Sequence, residues 1–264
     1  MRKPASSTTW ILLLGLAPWA PWAPWAAMAA DSTTGQAAAA PHGRVDWESW
    51  HAHNSLKDLA SLQRGARNFM NYCNGCHALK YERYQRMAND LHIPAAALEK
   101  DLVPPGSHPL DYITTAMPAA DAFNWFGKVP PDLSLITRSK GSDYVYRFLK
   151  AFYVEPSTVT GSNNLAYPST AMPAVLSELG GVNEAVFRQV KDAKEFDHFV
   201  NLVRGSMTDA QFDDFVRDTV NFLDYVGEPA QLERQTMGIW VVLFLVLLTW
   251  LAWLLKKEYW KDVH

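Results

Sequence analysis

Cys73-Asn74-Gly75-Cys76-His77 contains the only two cysteines of the 264-residue chain. Two thiols separated by two residues and followed by histidine suit covalent attachment of one c-type haem. Each thiol adds to a vinyl group, and the adjacent imidazole reaches the iron. A thioredoxin-like pair shares the Cys-x-x-Cys spacing but follows a strand in a βαβ pattern, and a zinc site needs further ligands that the chain lacks. With Cys73 and Cys76 both assigned to haem, no disulfide can form. The macrocycle then supplies the core stability that an exported domain without disulfides otherwise misses.

Upstream of the motif, Leu59, Leu62, Ala66 and Phe69 or Met70 recur at three- and four-residue steps, so residues 55–84 read as mostly helical. Gly65 and Phe69, four apart, let this helix approach another closely and pack an aromatic there. Downstream, Pro94, Pro104, Pro105, Pro109, Pro118, Pro130 and Pro131 interrupt any long helix. This looped stretch wraps something other than itself. Residues 143–152 read as helix again, with Tyr144 and Phe148 on one face, and residues 156–173 as a second loop. The last soluble helix is the best defined. Thr208 and Gln211 match a capping box, Phe212, Phe215, Val216, Phe222, Leu223 and Val226 form an apolar stripe, and Gly227 with Pro229 stops it. Few β-branched alternations are visible, so the expected fold is an all-α c-type cytochrome domain with long proline-rich loops, followed by one C-terminal transmembrane helix.

The two ends locate the domain. Residues 1–30 read as an export signal: Arg2 and Lys3, an apolar run from Trp10, and Ala27-Met28-Ala29 before a start at Ala30 or Asp31. Residues 31–54 form a flexible lead-in rich in small and polar residues. The haem domain is expected over 55–232. From Gln235 to Leu255 no residue is charged, and the 19 residues from Met237 rise about 28 Å, close to a bilayer core. Lys256, Lys257 and Lys261 follow, so residues 256–264 are expected on the cytoplasmic side and the haem domain in the periplasm of a bacterial inner membrane. A formal net charge of −3 gives no sign of nucleic-acid binding. Between Glu178 and Arg234 twelve Asp and Glu face six Lys and Arg. Such a bias is ordinarily a solvated face, and on an electron carrier it also steers a basic soluble partner.

A closed haem needs a sixth ligand, and a methionine thioether favours the ferrous state. Met1 and Met28 lie in the signal, Met237 in the anchor and Met70 on the motif's own helix, while Met87 and Met207 sit in or beside helices. Met117 and Met172 remain, both within Ala-Met-Pro, and spacing from His77 favours Met117. His92 and His108 are further candidates.

Four stretches make the chain resemble the bacterial cytochrome c1 family, the haem subunits of ubiquinol–cytochrome c oxidoreductase (complex III). They are Tyr72 to His77, Trp125 to Ser134, Tyr167 to Pro173, and Asn221 to Pro229 running into the anchor and the ending Lys257 to His264. The resemblance implies Met172 as the axial ligand opposite His77, with Met117 a packing residue. It implies Pro130 or Pro131 as carbonyl acceptor for the imidazole. It also implies Tyr144 and a basic residue, Arg138 or Lys140, at a haem propionate. The implied partners are the cytochrome b subunit, the Rieske iron–sulfur subunit, a cytochrome c acceptor and membrane lipid, in a dimeric complex. No catalytic constellation of the chain's own is visible, so the chain reads as a redox subunit of an enzyme that exists only as the assembled complex. Two other readings remain: a membrane-anchored monohaem carrier of another respiratory complex such as a terminal oxidase, and a peroxidase-like haem enzyme with an open sixth position.

Overall fold

Two helices pressed unusually close together organise the domain. The computed structural model describes residues 46–190 and 193–262, so the expected export signal and most of the expected lead-in lie outside the described residues. α1 (Leu59–Tyr72) starts at Asp58, whose side chain accepts from the Ser61 N–H. It packs against α8 (Asp209–Gly227), which opens with both halves of the Thr208–Gln211 capping box. Gly65 is the contact point. A Cβ there would fall 2.0 Å from the Asp218 carbonyl oxygen and 2.6 Å from Phe222 Cβ. Phe69 and Phe222 fill the next layer with ring centroids 5.9 Å apart, as the Gly65–Phe69 spacing predicts. At the rim of the same seam Arg64 binds the buried Asp218 bidentately, at 2.6 and 2.9 Å.

Between these helices the chain forms short elements. β1 (Leu79–Arg83) pairs antiparallel with β2 (Tyr112–Ile113), and α2 (Tyr84–Asp90), a single turn α3 (Ala95–Ala97) and a π-helical turn (Leu98–Leu102) lie between them. Leu79, Tyr84, Met87, Leu91, Leu98 and Ile113 join the core of α1 and α8. Then come α4 (Ala119–Phe126), α5 (Ile136–Lys140), α6 (Ser142–Lys150), the antiparallel pair β3 (Phe152–Val154) and β4 (Ser162–Asn164), and α7 (Ser177–Gly180).

The largest departure from the expected all-α fold is the hairpin of β5 (Val182–Val190) and β6 (Ala193–Val203). It is antiparallel from Val182↔Val203 to Val190↔Ala193, with irregularities at Val182/Asn183 and Val186/Phe187. Both faces of β5 are only partly buried, so no strict in–out alternation of apolar residues is required, and the irregularities break the period further. Aromatics attach it to the domain through Tyr153–Phe187 and Trp50–Phe199. The helical expectation for residues 55–84 also needs correction. Helix stops at Tyr72, and residues 79–83 form β1, because the backbone after the motif is taken up by β2 and by the loop that follows Pro131.

α9 (Gln231–Tyr259) has 29 residues and none of them is buried within the chain. An apolar helix of this length with its whole surface uncovered is suited to lipid, and it is the one candidate membrane span among the described residues.

Candidate haem site

α1 delivers the motif. At its C-terminus the Cys73 and Asn74 N–H groups both donate to the Phe69 carbonyl, and the Cys76 and His77 N–H groups both donate to the Cys73 carbonyl. This helical turn puts the two thiols three positions apart and the imidazole one further on, so all three project from a single turn. Neither cysteine is in a disulfide. Burial, and secondarily the neighbouring Cys76, push the Cys73 thiol up to about 12, so it stays a neutral group in an apolar setting. Asn74 is buried and braces the turn, donating to the Thr114 carbonyl at 3.2 Å.

His77 is buried, and its Nδ1–H donates to the Pro131 carbonyl at 2.7 Å. That bond fixes the ring and its tautomer, leaving Nε2 as a bare lone pair. Burial lowers the imidazole pKa, partly offset by the Pro131 bond and by Asp132, which keeps the ring in its neutral, ligating form. The acceptor is thus Pro131 and not Pro130. Two thiols, an oriented neutral imidazole and a partly apolar surround together fit a covalent c-type haem.

Residues 131–134 are sewn to the strand that follows the motif. Leu133 N–H donates to Ala78 O, Lys80 N–H to Asp132 Oδ2 at 2.8 Å, and Tyr81 N–H to Ser134 Oγ at 3.3 Å. Asp132 Oδ1 also caps its own turn by accepting from the Ser134 N–H. Asp132 and Ser134 are therefore the residues that hold the Pro131 carbonyl in place. The sequence carries a local signal for this role, an Asx-type Asp two residues before a serine, that the family resemblance alone does not bring out. In an Asp132→Ala variant the loop loses the Lys80 and Ser134 N–H contacts of Asp132 and keeps only the Leu133–Ala78 and Ser134–Tyr81 bonds. The expected result is a higher reduction potential, because a carboxylate beside His77 is removed and the bond that makes its imidazole more basic is weakened, and a less stable haem domain, by about 1–3 kcal/mol, read by potentiometry and thermal unfolding; an unchanged potential and Tm would refute this positioning role.

The two Ala-Met-Pro loops share one local geometry. Met117 N–H donates to Thr115 Oγ1 at 3.2 Å and Met172 N–H to Thr170 Oγ1 at 3.3 Å, and both methionines are half-buried. They differ in attachment: Thr115 Oγ1 donates to the Gly75 carbonyl at 2.8 Å, tying the Met117 loop to the turn that carries the cysteines. Met87 is fully buried in the core, whereas His92 and His108 are exposed.

Of the two basic candidates, Arg138 is turned to the end of α8. Its Nη1 lies 3.4 Å from Glu228 Oε2, and its side chain runs along Gly227. Lys140 instead places Nζ 6.0 Å over the Tyr144 ring. Tyr144 stacks on Phe148, and burial together with nearby Tyr167 raises its hydroxyl pKa, so it remains a hydrogen-bond donor.

A helical domain that presents two thiols and a tautomer-locked histidine from one turn, and continues into an uncovered apolar helix, is a membrane-anchored c-type haem protein. The profile of the cytochrome c1 family matches residues 47–263, and the chain belongs to that family, whose members carry a covalent c-type haem and serve as haem electron-transfer subunits of complex III. The chain is 50% identical over 184 residues to cytochrome c1 of Allochromatium vinosum, covering 69% of this chain and 75% of that one. It is 41% identical to a protein named ammonia monooxygenase gamma subunit in Nitrosomonas europaea, over 67% of this chain and 72% of that one. A chain described as belonging to a hyperthermophilic respiratory Complex III aligns over 77% of both chains with a TM-score of 0.38 and 17% identity.

Proposed function

We propose that this chain is the relay that takes one electron from the Rieske iron–sulfur subunit of complex III and passes it to a cytochrome c. The haem part of this reading is carried by the 2.7 Å bond from His77 Nδ1 to Pro131 O, which readies one ring nitrogen for iron beside two free thiols, and the complex III part is supported by the family match over residues 47–263. When bound, the haem supplies a one-electron couple. The chain's own part would be to hold it: Cys73 and Cys76 would attach it by thioether bonds, His77 and Met172 would ligate its iron, and Lys140 and Tyr144 would meet a propionate. Arg138 is not assigned there, because Glu228 already engages it. Met172 is preferred to Met117 by resemblance, and the Thr115–Gly75 bond that ties Met117 to the attachment turn supports that choice.

In this reading the haem domain stands in the periplasm, α9 crosses the inner membrane beside the cytochrome b subunit, the C-terminus is cytoplasmic, and the complex is dimeric. The acidic bias after Glu178 contributes less steering than its composition suggests. Asp218, Asp213 and Glu228 are each engaged by a cation, namely Arg64, Lys150 and Arg138 with Arg234.

The test is direct. The chain isolated from membranes is expected to keep one haem's extra mass after denaturation, and the native complex to contain a b-type cytochrome and a Rieske protein. Absence of the mass would end the haem reading; its presence without those subunits would end the complex III reading. The relative named ammonia monooxygenase gamma subunit favours a second reading, an anchored monohaem subunit of a different membrane oxidoreductase. The same subunit inventory distinguishes the two.

A further inference from the structure

Glu82 lies on β1, five residues beyond His77, with 1% of its surface exposed and no hydrogen-bond partner for Oε1. The ionisable groups facing it come from two helices. α2 contributes Arg86 and Asp90, whose Nε and Oδ2 are 3.6 Å apart. α8 contributes Tyr225, whose hydroxyl donates to Asp90 Oδ2 at 2.7 Å. From its own strand the Arg83 backbone N–H is the one stabilising donor. A buried carboxylate with an unfilled oxygen is costly, whereas a carboxylic acid in the same place is not. Burial dominates, Asp90 adds to it, Arg86 opposes it, and Glu82 is pushed up to about 7. Its proton is therefore exchangeable near neutrality. Asp90 and Arg86 are both substantially exposed, so the cluster also reaches solvent.

We propose that Glu82 is a redox-linked proton site, taking up a proton when the haem held by His77 is reduced and releasing it on oxidation. The inference rests on the haem reading above. In the reductive direction one electron from the haem's one-electron donor enters the iron, and one proton leaves water and forms an O–H bond at Glu82 Oε1. No bond in the protein breaks, and oxidation returns both particles. The coupling is electrostatic. Five residues of extended chain put the Cα atoms of His77 and Glu82 at most about 18 Å apart, and one unit of charge at about 18 Å in an effective dielectric of ~20 changes proton affinity about fivefold. The sign follows: the extra positive charge of the ferric state favours the carboxylate, so the potential falls as pH rises through neutrality.

The experiment is optical redox titration of the assembled complex at a series of pH values, comparing wild type with Glu82→Gln. The wild-type potential is expected to drop by about 40 mV between its acid and alkaline plateaus, the equivalent of a fivefold change in affinity. The variant should stay near the acid plateau. Redox-difference infrared spectra should show a protonated-carboxyl C=O band growing on reduction in wild type and missing from Glu82→Gln. Identical pH dependence in the two proteins, or a band that persists in the variant, would overturn the proposal. Should Glu82→Gln fail to assemble, absence of the wild-type band alone decides against it. Failure of the haem reading looks different, because no haem spectrum would exist to titrate.

Discussion

Met172→Leu is expected to leave the haem attached but open its sixth position. The covalent bonds at Cys73 and Cys76 and the His77–Pro131 contact lie outside the Met172 loop, so pigment content should not change. What changes is the sulfur. Leucine fills a similar volume without a lone pair, so the reduced protein should bind carbon monoxide and lose its low-spin spectrum. The potential should fall by on the order of 100 mV or more, since axial ligands spread haem potentials over ~0.8 V. Met117→Leu, made in parallel, should leave the spectrum and potential intact. A Met172→Leu protein that stays low-spin at normal potential, or a Met117→Leu protein that does not, would reverse the assignment.

Gly65→Ala is expected to damage the domain severely. The added Cβ meets Asp218 O at 2.0 Å, and that atom is helix backbone which cannot rotate away. Either α1 and α8 separate, uncovering Phe69 and Phe222, or both helices bend, with loss of the Arg64–Asp218 pair. Overpacking of this kind costs about 3 kcal/mol or more, a large share of the ~5–15 kcal/mol that holds a domain folded. Tm should fall by about 6–12 °C. Because α1 ends at Tyr72, directly before Cys73, the yield of haem-loaded protein should fall as well. Normal yield with a Tm within a degree or two of wild type would show that the seam is looser than its geometry implies.

How much of this was legible depended on whether a feature is local. The haem motif, the Thr208–Gln211 box and the Gly65–Phe69 spacing each depend on residues within one helical turn or so, and each appears in the structure where the sequence places it. The β5–β6 hairpin does not. Its strands are partly exposed on both faces, so burial imposes no alternation to read. Arg138 was ambiguous because its partner, Glu228, lies 90 residues away in sequence on the far end of another helix. Glu82 gave no signal at all, since a glutamate in a polar run looks solvated until β1 and α8 close over it. Gly227 was read as a helix stop, yet it has no positive φ; it is small because Thr137 Oγ1 sits 2.9 Å from where its Cβ would be.

That junction limits how the protein can meet its redox partners. Only Glu228, Pro229 and Ala230 separate α8 from α9, and Glu228 is clamped from both directions, by Arg138 of the segment following Pro131 and by Arg234 of the membrane helix. A three-residue joint bridged on both sides ties the end of α8 to the start of α9. A haem held by His77 would then sit on a domain joined to the apolar helix by a short, bridged connection, and that connection is the part of the chain whose lengthening would test how closely the two must stay together.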